Sequence, residues 1–156
     1  MQQVRVQTND FDTQALVDGL CEGRTGIGAV VTFTGLVRDL GDDKSLQSMT
    51  LEHYPAMTEK ALQVIVREAC ERWDLIDALV VHRVGELKPA DRIVLVVVAS
   101  QHRHEAFAAC EFIIDFLKTR APFWKKERTA NGEHWVEARD SDDQATERWM
   151  PGSKAT

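Results

Sequence analysis

Hydrophobic and polar positions follow two different periods along this chain. Three segments place apolar residues at helical spacing, beginning after Asn9 or Asp10, at Thr58 and at Ala106. β-Branched runs or apolar–polar alternation predict strands at residues 4–7, 28–38, 46–54, 75–84 and 92–99. Helices therefore interrupt the strands along the whole chain. This order predicts an α+β (mixed α/β) fold.

The predicted helices have recognisable ends. The second helix is expected over residues 58–73, after Pro55 closes the preceding strand. Ser100 stands where the third helix would be capped, and Pro122 stops that helix. Three glycines between residues 23 and 28 predict a flexible loop after the first helix.

A hairpin is predicted after the third helix. Its strands are expected at residues 124–128 and 134–138. The Asn131-Gly132 pair between them favours a type I′ turn, because both residue types accept positive φ angles.

The end of the chain predicts one more short helix. Ser141 and Gln144 form a capping box, and the helix is expected to reach about Trp149. We expect a single domain over residues 1–149, followed by a flexible tail over residues 150–156.

Composition limits the classes of protein to consider. The chain has 156 residues, enough for one domain, and a 44% hydrophobic content, enough for a core. Its longest apolar stretch, residues 93–99, is far shorter than the roughly 20 residues that cross a bilayer. The N-terminus has neither the basic nor the apolar region of a secretory signal. We expect a soluble, cytoplasmic protein with no membrane partner.

Charge and cysteine content narrow the chemistry further. The formal net charge of −6 argues against a nucleic-acid partner, which usually requires a basic face. Cys21, Cys70 and Cys110 show no CxxC spacing, which suits a reducing compartment. Cys70 and Cys110 lie on apolar helix stripes, so we expect no cysteine nucleophile. His102 and His104 lack the further ligands that a metal site needs, so no metal is expected.

The most unusual segment is LKTRAPFWKKE, at residues 117–127. Its four cations, Lys118, Arg120, Lys125 and Lys126, surround a rigid Pro-aromatic corner. One interpretation is a helix end whose cations offset the helix dipole, followed by a solvated strand. The other is a corner that turns two amines toward one pocket, where they could bind a phosphate or a developing oxyanion. The residues themselves leave both interpretations open.

A second candidate segment, SQHRHE at residues 100–105, joins a buried strand to a helix. Free backbone N–H groups at such a junction favour anions, and His102 and Arg103 add a proton donor and a guanidinium. The alternative is that these side chains only decorate the first helical turn. Arg38 at a strand end and Arg139 after the hairpin are further cations, each of which could equally lie on the surface.

Six segments together carry a family resemblance. They are VVTFTGLVR, LEHYPAMTEKAL, HRVGELKPAD, SQHRHEAF, LKTRAPFWKKE and WVEARDSD, in this order. The chain resembles the catalytic, or large, subunits of molybdopterin synthase from about residue 30 to residue 149. Ala90 falls where that family often has glycine, and both ends of the chain match it poorly.

The resemblance implies an α/β hammerhead-like core with an added β-rich subdomain. It also implies a sulfurtransferase of molybdenum cofactor biosynthesis that acts on cyclic pyranopterin monophosphate. The sulfur would come from the thiocarboxylate of a small ubiquitin-like subunit, whose C-terminal tail inserts into the active site, and no cofactor is implied. Two copies of the chain would form the homodimer core of a heterotetramer.

Residue roles also follow from the resemblance alone. Lys118 and Lys125 match the catalytic lysines of the family. The positions that match its substrate-contacting segments are Leu36, Val37, Arg38, His102, Arg103, Lys126, Glu127 and, with a weaker match, Arg139. Two other classes stay open: a non-catalytic module that docks a tail or an anion, and a small RNA- or nucleotide-binding domain that stacks bases on Trp124.

Overall fold

Helices and strands alternate along the described part of the chain, and the predicted α+β class is confirmed. The computed structural model describes residues 3–39, 46–136 and 140–151. The helices are α1 (Thr13–Cys21), α2 (Pro55–Arg72), α3 (Arg103–Arg120) and α4 (Asp140–Glu147). The strands are β1 (Gln3–Gln7), β2 (Ala29–Leu36), β3 (Leu46–His53), β4 (Leu75–Arg83), β5 (Gly85–Leu87), β6 (Arg92–Ser100), β7 (Phe123–Thr129) and β8 (Gly132–Val136). Within these ranges, no helix is both long and apolar enough to cross a membrane.

The larger sheet, called the main sheet, has the strand order β1-β4-β6-β2. β1 runs parallel to β4, whereas β6 is antiparallel to both of its neighbours. The two central strands are buried over most of their length, because helices cover both of their faces. β2 forms one edge, where Val30 and Phe33 are each 36% exposed.

The main core lies between the main sheet and the helices α2 and α3. Val96 and Val98 of β6 share this core with Phe112 and Ile113 of α3. Val97, between the two valines, belongs to the separate core under α1 on the opposite face. Each fully buried side chain of this size contributes about 1.5–3 kcal/mol, so packing against the sheet outweighs the intrinsic preferences of the helices.

The second sheet, called the small sheet, has the order β5-β3-β7-β8. The sequence predicts a single strand over residues 75–84 and does not predict β5. In the structure β4 ends at Arg83, and Gly85, with a φ of +86°, directs the chain into the small sheet. Glycine adopts such an angle without steric penalty. The small sheet corresponds to the expected β-rich addition to the core.

The predicted hairpin is confirmed, but its turn differs from the expected one. Thr129 of β7 pairs with Gly132 of β8, so the loop residues are Ala130 and Asn131. A type I′ turn with Asn131 and Gly132 at its centre requires a positive φ at both residues. Only Gly132 has one, at +105°. Instead, the Asn131 N–H donates to the Thr129 hydroxyl at 3.2 Å. Residues 137 and 138 of the second predicted strand lie outside the described residues.

The first helix begins later than predicted. Asp12, rather than Asn9 or Asp10, is the N-cap of α1, and its carboxylate accepts a hydrogen bond from the Ala15 N–H at 3.0 Å. Asp10 instead accepts a 2.8 Å hydrogen bond from Arg92 of β6. Asp10, which the sequence pattern offers as a helix cap, therefore connects the N-terminal segment to the main sheet.

Other helix boundaries shift by a few residues. His102, rather than Ser100, is the N-cap of α3, because Ser100 still belongs to β6. α2 begins at Pro55, since proline suits the first turn of a helix. α4 begins at Asp140, so Ser141 lies inside the helix rather than at its cap. Of the predicted tail, residues 152–156 lie outside the described residues.

Candidate active site

A cavity of about 540 Å³ lies between the small sheet, the end of β2 and the end of α3. β3 and β6 contribute apolar walls. Arg38, Lys118 and Lys125 add three cations, and Glu127 adds a carboxylate. Apolar cavities with a few convergent polar groups are typical of small-molecule sites, and these cations suit an anionic ligand.

A sharp corner brings the two lysines to this cavity. Lys118 lies in the last turn of α3, and Pro122 prevents the helix from continuing. The Phe123 N–H donates to the Ala121 carbonyl at 2.9 Å, and β7 starts at Phe123. Lys125 is the third residue of that strand. Of the two interpretations of this segment, the placement of Lys118 and Lys125 fits a pocket that collects two amines.

The other two cations of the segment point elsewhere. Arg120 donates to Glu68 at 2.8 Å and lies over the Phe116 ring. Lys126 forms a 3.0 Å ion pair with Glu133, because neighbouring residues of a strand face opposite sides of the sheet. Lys126 is therefore not among the residues that line the cavity, contrary to its expected role as a substrate contact.

The end of β2 forms another wall of the cavity. Leu36, Val37 and Arg38, all expected substrate contacts, line it. Val37 is buried, and its N–H donates to the Asp91 carbonyl at 2.9 Å. This hydrogen bond fixes the backbone between the exposed side chains of Leu36 and Arg38. Gly35 lets this strand pass close to β6, because a Cβ there would lie 2.7 Å from a methyl carbon of that strand.

Glu127 lines the same cavity as Lys125 because the two residues are two positions apart on β7. Its carboxylate lies 3.6 Å from Nε2 of His134 on β8. This wall therefore offers both a cation and an acceptor for ligand N–H groups.

His102 and Arg103 lie far from the cavity of their own chain. Both are exposed at the N-terminus of α3, whereas Lys118 is in its last turn. Fifteen residues separate Arg103 from Lys118, which corresponds to about 22 Å at the helical rise of about 1.5 Å per residue. The structure thus does not bring these two expected contacts to the cavity within one chain. Arg139, the remaining one, lies outside the described residues.

The loop predicted to be flexible, residues 23–28, also lies away from the cavity. Its Gly28 N–H donates to the Ser100 carbonyl at 3.0 Å, and Arg24 forms a 2.6 Å ion pair with Asp77. Both contacts hold it at the end of the main sheet opposite to Arg38.

His82 is a cavity residue that the sequence analysis does not single out. It lies on β4 and is only 5% exposed. Its Nδ1 is 2.8 Å from the Arg83 carbonyl oxygen, and its ring stacks on Phe123 with the centroids 4.0 Å apart. Burial, assisted by the nearby charges of Lys118 and Lys125, lowers the pKa of His82 to about 4. In the sequence, His82 is marked only as a polar residue that ends an apolar run and as the first residue of the segment HRVGELKPAD.

Comparison with known proteins identifies the family. A family model described as MoaE protein matches residues 6–120, well over half of the chain. The chain belongs to the MoaE protein family. A relative from Ralstonia nicotianae, named molybdopterin synthase catalytic subunit, is 61% identical over 149 residues, which cover 96% of this chain and 85% of the relative.

Solved structures of the MoaE family share this fold. The molybdopterin biosynthesis MoaE protein from Burkholderia ambifaria is 54% identical with a TM-score of 0.83, over 96% of this chain and 98% of that one. The molybdopterin synthase structure from Staphylococcus aureus is 33% identical with a TM-score of 0.79, over 85% of this chain and 96% of that one. The expected family is confirmed, and with it an enzyme subunit of molybdenum cofactor biosynthesis.

Two of the three cysteines in this MoaE-family chain are poor nucleophiles. Burial raises the pKa of the Cys110 thiol to about 12, and it also raises the pKa of Cys70. Among the described residues, no group of three or more His, Cys, Asp or Glu side chains is arranged to hold a metal ion. The polar groups of the described residues that line the cavity include two amines, a guanidinium, a carboxylate and the His82 imidazole.

Proposed function

We propose that the chain catalyses sulfur transfer to cyclic pyranopterin monophosphate, forming the dithiolene of molybdopterin. The sulfur is delivered as a thiocarboxylate on the C-terminal glycine of a small ubiquitin-like partner. The observation that carries this proposal is that Lys118 and Lys125, from two different elements, line one cavity of about 540 Å³. The relative that is 61% identical and named molybdopterin synthase catalytic subunit supports the same assignment.

The reaction needs no sulfur nucleophile from the chain itself. A thiocarboxylate is already a nucleophile, so the enzyme has to supply position and charge. Two anions, the partner's tail and the substrate phosphate, must be held together. Arg38 suits the phosphate, because a guanidinium presents paired donors to such a group. Free thiols and a thiocarboxylate both suit a reducing cytoplasm, where we place the reaction.

We assign different roles to the two lysines. After sulfur has attacked the pterin side chain, the partner remains joined as an acyl group that has to be released. The Lys118 amine attacks that acyl carbon and the sulfur leaves as a thiolate on the pterin; water then cleaves the resulting amide, which returns Lys118 and the partner's carboxylate. Lys125 binds and polarises the substrate. Lys125 lies between β3 and β8, opposite Leu51 and Val136, and this central position in the small sheet supports a fixed binding role.

His102 and Arg103 can contact the substrate only if a second copy supplies them. β2 is an edge strand of the main sheet, and its first residue, Ala29, pairs with Ser100, two residues before His102. Its other end leads to Arg38 and the cavity. Antiparallel pairing with β2 of a second copy would bring the His102 end of each copy to the Arg38 end of the other.

The edge of β2 has the properties of a surface that needs a partner. Val30 and Phe33 are each 36% exposed, and Leu36 is 55% exposed. An exposed apolar edge strand is a template for pairing, which native proteins normally cover. We therefore propose a homodimer core, with a small subunit bound at each cavity to form a heterotetramer.

Reconstitution tests the proposal. The purified chain is mixed with the thiocarboxylated partner and cyclic pyranopterin monophosphate, and dithiolene formation is measured. Lys118→Ala is expected to lower the rate about 100-fold or more, because the amine that attacks the acyl carbon is then absent. Lys118→Arg should not restore it, because a guanidinium stays charged and cannot act on the acyl carbon. Lys60→Ala changes an exposed lysine of α2 and is the control.

The alternative classes give other results in the same experiment. A docking module without catalytic activity would form no dithiolene, and it would still bind the partner after Lys118→Arg. A nucleic-acid-binding domain would bind RNA with a steep dependence on salt. Near-normal product formation by Lys118→Ala would contradict the role assigned to Lys118.

A further inference from the structure

His82 lines the proposed active site but has no role in the chemistry above. It shares the cavity with Lys118 and Lys125, although it is only 5% exposed. Two contacts hold its ring. The ring stacks on Phe123 with an interplanar angle of 21°, and Nδ1 lies 2.8 Å from the Arg83 carbonyl oxygen. A ring restrained in this way has a defined orientation relative to the cavity.

The contact with Arg83 defines the tautomer of the ring. A carbonyl oxygen only accepts hydrogen bonds, so Nδ1 donates, and Nε2 of the neutral ring carries a lone pair. Burial lowers the pKa of His82 to about 4, so the ring is neutral near pH 7. The titratable groups that face it are Lys118 of α3, Lys125 of β7 and His53 of β3. A neutral imidazole can lie beside two ammonium groups without repelling them.

A ring that is so weakly basic cannot serve as a general base for an amine. Proton transfer to it from an ordinary lysine ammonium would be unfavourable by about a millionfold. Accepting a hydrogen bond has no such penalty, because Nε2 keeps its lone pair at the working pH. The chemistry of His82 therefore favours alignment of a neighbouring donor over proton transfer.

We propose that His82 is a positioning residue, whose Nε2 accepts a hydrogen bond from the Lys118 amine and directs that side chain toward the acyl carbon. This inference rests on the proposed function. Lys118 is exposed in the last turn of α3, where its flexible stem allows many orientations. The hydrogen bond forms when tail and substrate fill the cavity, since catalytic hydrogen bonds often tighten only in the complex. Holding the amine in place before it reacts reduces the conformational entropy that is lost when it reaches the reactive geometry.

Two substitutions separate the hydrogen bond from ring packing. His82→Phe keeps a ring against Phe123 but removes the acceptor, whereas His82→Gln returns an acceptor at a similar distance from the backbone. In the reconstituted reaction, His82→Phe is expected to lower kcat about tenfold or more and to change KM for the partner less than about twofold. His82→Gln should recover most of the lost kcat. An unchanged kcat in His82→Phe would overturn the inference.

Nitrogen NMR of the histidine-labelled chain provides a test that needs no His82 variant. In the complex with the carboxylate form of the partner and cyclic pyranopterin monophosphate, which cannot react, Nε2 of His82 is expected to resonate as an unprotonated nitrogen that accepts a hydrogen bond. Lys118→Met should shift this signal toward that of a nitrogen without a hydrogen bond. A signal that stays unchanged in Lys118→Met would refute the proposed contact, even if His82→Phe does not fold.

The dependence of kcat on pH separates alignment from proton transfer. Because His82 stays neutral, it should add no inflection between about pH 6 and pH 8. An inflection there that disappears in His82→Gln would mean that His82 transfers a proton, which contradicts the inference. Failure of the proposed function looks different, since the wild-type chain would then form no dithiolene at all.

Discussion

Lys125 and Lys126 are neighbours on β7 but lie in different environments. Lys125 lines the cavity, whereas Lys126 pairs with Glu133 at 3.0 Å and lies 5.6 Å from the centre of the Trp135 ring. Such an exposed ion pair adds little stability, because water screens both partners. The face of the strand therefore decides which of the two lysines lines the cavity, and Lys126 instead pairs with Glu133 across the hairpin.

At the same scale, His82 should make the fold sensitive to acid. The pKa of His82 is about 4 in the folded chain, below its ordinary value of 6.5. As the pH falls, His82 therefore becomes protonated in the unfolded chain at a higher pH than in the folded chain. The stability that its neutral form contributes is present above about pH 6.5 and is lost as the pH falls toward 4. The difference amounts to about 2 kcal/mol between about pH 7.5 and pH 5. Urea denaturation at these two pH values measures it.

Two variants serve as controls for this pH dependence. His82→Gln lacks the titrating ring and should show a smaller loss of stability on acidification. His104→Gln removes an exposed histidine of α3 and should behave like the wild type. If His82→Gln and the wild type lost equal stability between the two pH values, His82 would not be held neutral by burial.

At the scale of elements, apolar periodicity locates the long helices but not the sheets. α2, predicted over residues 58–73, is observed at Pro55–Arg72, because a helix that buries one face repeats every 3.6 residues. Strand partners are not predictable in this way, since pairing depends on residues far apart in the chain. The division into two sheets depends on the turn at Gly85, which no periodicity marks.

The candidate site was predictable where short segments of the sequence supply its residues. Lys118 and Lys125 lie seven residues apart in an unusual run of cations, and the resemblance added Arg38. His82 carries no such signal, because a single histidine in an apolar strand has neither period nor spacing. Its place in the cavity depends on Phe123, which a distant part of the chain brings against it.

The start of β2 offers a prediction at the scale of elements. A Cβ at Gly28 would lie 2.1 Å from the Gln101 carbonyl oxygen, and the Gly28 N–H donates to the Ser100 carbonyl. Gly28→Ala should therefore destabilise the fold by about 1–3 kcal/mol, as overpacking against backbone does. Gly26→Ala, whose Cβ would meet nothing within 4 Å, is the matched control and should change stability by less than about 0.5 kcal/mol. Equal urea midpoints for the two variants would contradict this packing argument.

At the scale of the whole molecule, one chain does not assemble all the predicted contacts. The cavity holds Arg38, Lys118 and Lys125, but His102 and Arg103 lie at the other end of α3. A family resemblance assigns residues to one site without saying which copy of the chain supplies each of them. It therefore cannot reveal that His102 and Arg103 lie far from the cavity of their own chain. The exposed edge of β2 gives a physical reason to expect the missing cations from a second copy.

Mixing two inactive variants tests that arrangement. Lys118→Ala and Arg103→Ala are each expected to have little activity alone. In a mixed dimer, one cavity combines both defects, and the other has an intact Lys118 together with the intact Arg103 of the second copy. Random assembly of equal amounts makes about half of the dimers mixed, each with one intact cavity, so about a quarter of wild-type activity should return.

The matched control for this complementation combines Lys118→Ala with Lys125→Ala, which alter the cavity of the same chain. No activity should return there, because every cavity in every dimer then lacks one of the two lysines. If Arg103 acted within its own chain, its mixture with Lys118→Ala would behave in the same way, since each cavity would again carry one defect. Recovery in the first mixture and not in the second is therefore expected only if the cations cross the dimer interface, and subunit exchange followed by the dithiolene assay measures both.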